Sequence, residues 1–320
     1  MFASSFLRVA CQRYYWSSPA RLVRIIWSIG GNLSRQFEVF RILSRPAFRS
    51  LVEDDPVFPF KYLSTRYMFR GLPARHRGES FVHHFQFLEG HLPASVLDQP
   101  HPLEMTVFER REGDHDYTVR LDCAPQISRF EGELRLALLV NGVPIYCLQF
   151  SIVPGWVVQS QERDAIFVLR VQGLKGQYEL VRRATKELEE VAPPALLMAA
   201  LQGLASAWDI RSMAMVCAKR QYCYVESADG LFTQTYDDFF AALGATRTTD
   251  DFYSSPLPLP SKPLDLIRNG HKSRTVRKRA FKLRISEEVC GWAIANTSAA
   301  VSEMPTAGTD AGIEEGSMAS

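Results

Sequence analysis

The chain has 320 residues, 46% of them hydrophobic and 22% charged, and a formal net charge of +2. A chain of this length buries roughly three quarters of its unfolded surface, as one large domain or two smaller ones. This balance excludes wholesale disorder, and no apolar run reaches the ~20 residues of a bilayer-spanning helix. Arginine outnumbers lysine 29 to 8, so any single arginine carries little functional weight.

Residues 1–50 hold eight arginines and one acid, Glu38. Within "ARLVRIIWSIGGNLSRQF", Arg21, Arg24, Ser28 and Arg35 fall on one helical face, opposite Leu22, Ile25, Ile26 and Ile29. Three readings fit: an amphipathic helix docked on the core, an interfacial helix on an anionic membrane, or an Arg-rich, acid-poor presequence. Residues 30–80 read as helices and loops punctuated by Pro46, Pro56, Pro59 and Pro73, and "HHFQFLEGHLP" (83–93) ends at a turn.

From about residue 104 the apolar period becomes two. Tyr117, Val119, Leu121 and Cys123 share a strand face, and "ELRLALLV" (133–140) passes through Asn141-Gly142 into "VPIYCLQFSIV" (143–153). Asn-Gly between two such runs predicts a β-hairpin, because both turn positions need positive φ. "AIFVLRV" (165–171) predicts a strand buried on both faces. Helices follow, with Leu180, Val181, Ala184 and Leu188 on one stripe and Leu197, Ala200, Leu201, Leu204 and Trp208 on the next. Pro194 stands in the first turn of the second helix, where a missing N–H is harmless. Residues 210–218 predict a strand, and "YDDFFAAL" (236–243) a short helix closed by Gly244.

The four prolines of 254–263 enforce extended chain. The basic arm "NGHKSRTVRKRAFKLR" (269–284) follows, with seven cations and no acid. Its apolar residues fit a helix (Val276, Ala280, Leu283) or a strand (Phe281, Leu283, Ile285), and period alone does not separate the two. Beyond Asn296 the small, polar, mildly acidic tail reads as disordered. The fold class expected is α+β: an antiparallel β-meander with packed helices, a helical N-terminal part and a disordered tail. Its divisions are 1–40, an Arg-rich amphipathic segment, 41–290, the α+β domain, and 291–320, the tail.

Six cysteines (11, 123, 147, 217, 223, 290) form no CxxC pair, and free thiols in a reducing compartment are expected. His83 and His84 are adjacent and so point apart, which gives no metal clamp; no metal is expected. "LRVQGLKGQYELV" (169–181) runs a strand through Gly173, Lys175 and Gly176 into a helix, a geometry that exposes backbone N–H groups to an anion. The arm supplies Arg268, Lys272, Arg274, Arg277, Lys278, Arg279, Lys282 and Arg284. Phosphate of an anionic lipid is the partner expected first and nucleic acid second, since aromatic interleaving is lacking. The plainer alternative is a solvated face paired with Asp237, Asp238, Asp250 and Asp251.

Several stretches together resemble the VirK/YbjX family of bacterial proteins. They are "SRPAFRSLVEDDP" (44–56), "HFQFL" (84–88), "IYCLQFSIV" (145–153), "VQGLKG" (171–176), "RRATKEL" (182–188), "PALLMAAL" (194–201), "YDDFFAALGA" (236–245) and "KSRTVRKRAFKL" (272–283). Their order holds from about residue 40 to 290. Phe85 stands where the family usually has Tyr, and "EVAPPA" (190–195) replaces a loop that usually holds Gly and Arg-Pro. The resemblance implies a domain of unknown function in a cytoplasmic or peripheral inner-membrane protein, linked to virulence, envelope integrity and resistance to cationic antimicrobial peptides. It sets aside the mitochondrial presequence, and it brings no reaction, cofactor or catalytic residue. The leading expectation is therefore an envelope-homeostasis factor that meets anionic lipid through the arm. An alternative is an acyl- or aminoacyltransferase, with acyl-CoA held at the 173–177 turn, Tyr236 as general acid and His84 as base.

Overall fold

The computed structural model describes residues 30–302, apart from 32, 56, 98–103, 125–127, 129, 250 and 268. Most of the expected N-terminal amphipathic helix, the tail beyond Ser302, Cys11, Asp250 and Arg268 thus lie outside the described residues. The N-terminal part is helical. Helix α1 (Leu33–Leu43) turns Gln36, Val39, Ile42 and Leu43 inward. Pro46 then opens a short 3₁₀ turn that runs into α2 (Arg49–Asp54). Helix α3 (Ala74–His91) starts directly after Pro73, whose fixed φ suits a helix entrance, and α4 (Ala94–Leu97) closes this region.

The sheet follows. Strands β1 (Met105–Glu112), β2 (His115–Cys123), β3 (Leu134–Val140), β4 (Val143–Pro154) and β5 (Asp164–Gly173) form an antiparallel meander. Asn141 and Gly142 take φ of 50° and 79° at the β3–β4 turn, as the hairpin reading requires. Helices α5 (Tyr178–Glu187) and α6 (Pro193–Ala207) carry the chain over to β6 (Ser212–Val216), which lies parallel to β5. Helix α7 (Asp229–Thr233) passes through a π-helical turn, Gln234–Asp238, into α8 (Phe239–Ala242). The short β7 (Thr246–Arg247), β8 (Phe252–Pro256) and the long α9 (Lys272–Ser302) complete the described chain. Strand order is β1-β2-β3-β4-β5-β6-β8-β7, an α+β architecture as expected.

The meander has two unlike faces. Val119, Leu121, Leu136, Leu138, Leu148 and Phe150 pair in register on one, all fully buried. On that face Tyr117 reaches Glu187 of α5, and the Arg110 guanidinium lies over the Phe281 ring of α9. The opposite face carries Arg120, Asp122, Arg135, Cys147, Gln149, Arg170 and Gln172. The run 165–171 of β5 is buried on both faces as its sequence predicts, broken at Arg170, which is half-buried in an ion pair.

Two further differences concern α9. The arm is a helix, and it turns Phe281, Ile285, Val289 and Ala293 inward while Val276 and Leu283 stay 47% and 59% exposed. The inward stripe keeps the i, i+4 spacing of one helix face. The helix also runs on past residue 290 to Ser302. Its contact with α6 is close: a Cβ at Gly203 would collide with the Ser286 carbonyl and stand 2.9 Å from Val289 Cβ.

Candidate functional site: a cationic helix face and a buried polar cluster

The arm's cations divide by the side of α9 on which they fall. Arg274 pairs with Glu190, and Arg277 with Glu189 at 3.1 Å. Both glutamates hold positive φ, 55° and 57°, just after α5. Arg279 donates to the Lys262 carbonyl. Of the acidic residues expected to neutralise the arm, two are engaged elsewhere: Asp251 pairs with Arg220 at 2.6 Å, and Asp237 accepts the Ala218 N–H. Lys278 and Lys282 lie toward the buried side. Burial first, then the Arg279 and Lys278 charges, hold the Lys282 ammonium below the ordinary lysine range. Lys278 is lowered the same way, by burial and then by Arg274, with Glu190 partly opposing.

At about 100° per residue, Lys272, Val276, Arg279, Ala280, Leu283 and Arg284 share the outward face. Further along that face Leu283, Cys290 and Ile294 line a groove of about 770 Å³, shared with Ala205, Ile210 and Leu257. Cations flanking exposed apolar side chains are the pattern of an interfacial helix.

The 173–177 turn sits at the surface. Gly173 ends β5, Gly176 takes φ of 83°, and Lys175 is exposed. Helix α5 begins there with Tyr178 exposed and no side-chain cap. His84 stands elsewhere and is fully buried. Pairing of β3 with β4 ends at Leu134–Phe150, and two residues on, the Ile152 N–H donates to His84 Nδ1 at 3.1 Å. Burial, then Lys61 and His83, push the imidazole far below its usual value and keep it neutral. Sealed from solvent and spent on the Ile152 N–H, the imidazole has no route to a substrate, which argues against it as the base of the transferase reading.

Tyr236 is buried too, but in different company. It projects from the π-helical turn onto the polar face of the sheet, beside Arg170, Glu131 and Cys223. Gln149 and Arg170 are cross-strand neighbours, and Cys147 and Gln172 are the adjacent pair. Arg170 binds Glu131 Oε2, and Gln149 donates to Ser128 Oγ at 2.9 Å. Burial first, then Cys223 and Glu131, raise the Tyr236 phenol well above its ordinary value, so it remains an O–H donor. Burial likewise raises the Cys147 and Cys223 thiols. The partners of His84 and Tyr236 do not overlap, and neither group meets the 173–177 turn or the arm in one cleft.

Of this buried polar cluster sequence reading singled out only Tyr236. A readable signal was present: Cys147-x-Gln149 and Arg170-x-Gln172 place polar side chains two apart within strand runs, hence on one face. Among the described residues no three His, Cys, Asp or Glu side chains group as a metal site, and Cys123, Cys147, Cys217, Cys223 and Cys290 form no disulfide. No described helix is long and apolar enough to cross a membrane. Neither a curated protein nor a solved structure matches the chain. A family model matches residues 19–286, most of the chain and nearly all of the fold above, and by it the chain belongs to the family described as protein of unknown function DUF535.

Proposed function

We propose that this chain is an envelope factor of the VirK/YbjX kind that rests on the anionic inner surface of the cytoplasmic membrane through the outward face of α9. The carrying observation is the two-sidedness of that helix. Phe281, Ile285 and Val289 fasten it to the core, while Val276, Leu283 and Arg284 are exposed and the half-buried Lys272 and Arg279 lie on the same outward face. Each cation near an anionic leaflet contributes about 1 kcal/mol, and the two apolar side chains add burial in the headgroup region. Apolar side chains between the cations favour lipid over nucleic acid, which offers them nothing. The envelope and virulence link rests on the VirK/YbjX resemblance. The buried His84 leaves the transferase reading without its base.

Flotation of the full chain with phosphatidylglycerol and with phosphatidylcholine vesicles tests this. Binding to the anionic vesicles alone is expected, weakened by salt and lost in Val276→Glu/Leu283→Glu. Equal partition into both vesicle types, or undiminished binding by the double variant, overturns it.

A further inference from the structure

The groove between α6 and α9, about 770 Å³, is as large as the sites that hold small molecules. Ala205, Ile210 and Leu257 are its buried floor, and Leu283 and Ile294 stand on its α9 side, 59% and 50% exposed. Polarity is graded along α9. The cations end at Arg284, and no Lys or Arg stands between Ile285 and Ser302. Leu283 belongs to both stretches, so the cationic face runs directly into the apolar groove. From Leu283 to Ile294 the helix rises about 16 Å. An extended alkyl chain of about 14 carbons spans that distance at ~1.2 Å per bond. The rim charges keep the same direction. Arg211 is spent on Asp209 at 3.0 Å, and Glu287, a turn beyond Arg284, repels a phosphate from the apolar stretch.

We propose that this groove seats one acyl chain of an anionic membrane lipid, with the lipid phosphate at Arg279 and Arg284 and the end of the chain at Ile294. The proposal rests on the membrane reading above for the source of the chain, and it turns a surface contact into the capture of a single lipid. The occupant follows from the grading of charge and from length. A cationic end that opens into an apolar trough of fixed length matches a molecule that is anionic at one end and apolar over the same length. The floor and walls carry the chain by burial alone, so affinity depends on how many methylenes enter.

The test is calorimetric titration of the full chain with n-alkyl phosphates from octyl to hexadecyl, each below the concentration at which it forms micelles. Affinity is expected to climb about fourfold per methylene and to level off near the tetradecyl chain. Cys290 lines the groove and is half-buried, so bound alkyl phosphate is expected to slow its alkylation in the parent chain. Gly291→Phe is expected to abolish binding. Gly291 lines the groove, and a Cβ there meets nothing within 4 Å, so the ring fills the space without displacing its neighbours. Replacing a glycine inside a helix favours the fold, so this variant is expected to melt at or above the parent. Ile294→Glu blocks the far end from an exposed position. No binding, affinity that ignores chain length, or binding that survives both variants overturns the groove. So does a parent chain that sediments as a dimer with Cys290 already shielded, which gives the groove to a second copy. Flotation on phosphatidylglycerol vesicles keeps the two readings apart. Flotation without alkyl phosphate binding overturns the groove alone, and alkyl phosphate binding without flotation overturns the membrane source.

Discussion

Glu131 and Glu133 are two residues apart and equally buried, yet their surroundings differ in kind. Glu133 spends both oxygens: Oε2 meets Lys61 Nζ at 2.6 Å, and Oε1 accepts from Tyr67 OH at 2.6 Å. Lys61 is further enclosed by the Phe58 and Tyr67 rings, and the Glu133 N–H donates to Ser151 Oγ. Glu131 meets Arg170, whose side chain is 24% exposed, and has the Cys223 thiol as its other neighbour. A network closed to solvent fixes one arrangement of the core. The same residue type thus serves as a sealed clamp in one place and as the anchor of a solvent-touching ion pair in the other.

Matched substitutions probe that contrast. The largest effect is expected from Lys61→Met, which strands a buried carboxylate and loses about 3–5 kcal/mol; urea unfolding reads it as a lowered midpoint. Arg170→Met strands the equally buried Glu131 and is expected to lose about 3 kcal/mol, the lower end of that range, because the Arg170 side chain already touches solvent. A larger loss than for Lys61→Met would reverse the distinction. Next comes the hydroxyl pair. Tyr67→Phe removes a bond to a charged acceptor and is expected to lose about 1.5–3 kcal/mol, against about 0.5–1.5 kcal/mol for Tyr236→Phe, which removes a neutral bond to the Val171 backbone. A comparable fall in both would make the two sites alike.

Acid sharpens the closed side. As pH falls below about 6.5 an unfolded histidine takes up a proton, and His84, held neutral by burial, does not. The unfolded chain then binds more protons, so stability falls with falling pH, by up to about 1.4 kcal/mol per pH unit from this group. His84→Gln keeps an acceptor for the Ile152 N–H and is expected to flatten the slope seen in unfolding midpoints between pH 6.5 and 5. The smallest effect on stability is expected from Glu189→Gln/Glu190→Gln, since these exposed pairs are each worth less than about 1 kcal/mol. Freeing Arg274 and Arg277 nonetheless raises retention on phosphatidylglycerol vesicles. Unchanged retention would show that only the outward face of α9 counts.

What the sequence disclosed depends on range. The β3–β4 hairpin was legible because Asn141-Gly142 is a local requirement of backbone conformation, and so was the stop at Gly244, which takes φ of 83°. The stripe of α6 was legible because helix period is local too. Lys61 and Glu133 are 72 residues apart, and nothing in either neighbourhood announces the other. The arm shows how a correct period misleads. Val276, Ala280 and Leu283 do align on a helix, but packing selected Phe281, Ile285 and Val289, with more volume to bury, and left the first set outside. Likewise Arg170 was absorbed into an apolar run, although a lone guanidinium in a central strand demands a carboxylate, and that demand leads to Glu131. The turn Gln234–Asp238 has no sequence signature that we can state in physical terms.

The contact at Gly203 has a consequence for how the protein is made. Helix α6 presents a groove fitted to a segment some eighty residues further along the chain, and only a bare backbone there lets the two axes draw together. During synthesis the nascent sheet must therefore wait, its flank uncovered, until the ribosome has released the residues up to Ala293. Through that interval α6 is open to chaperones and to other unfinished chains.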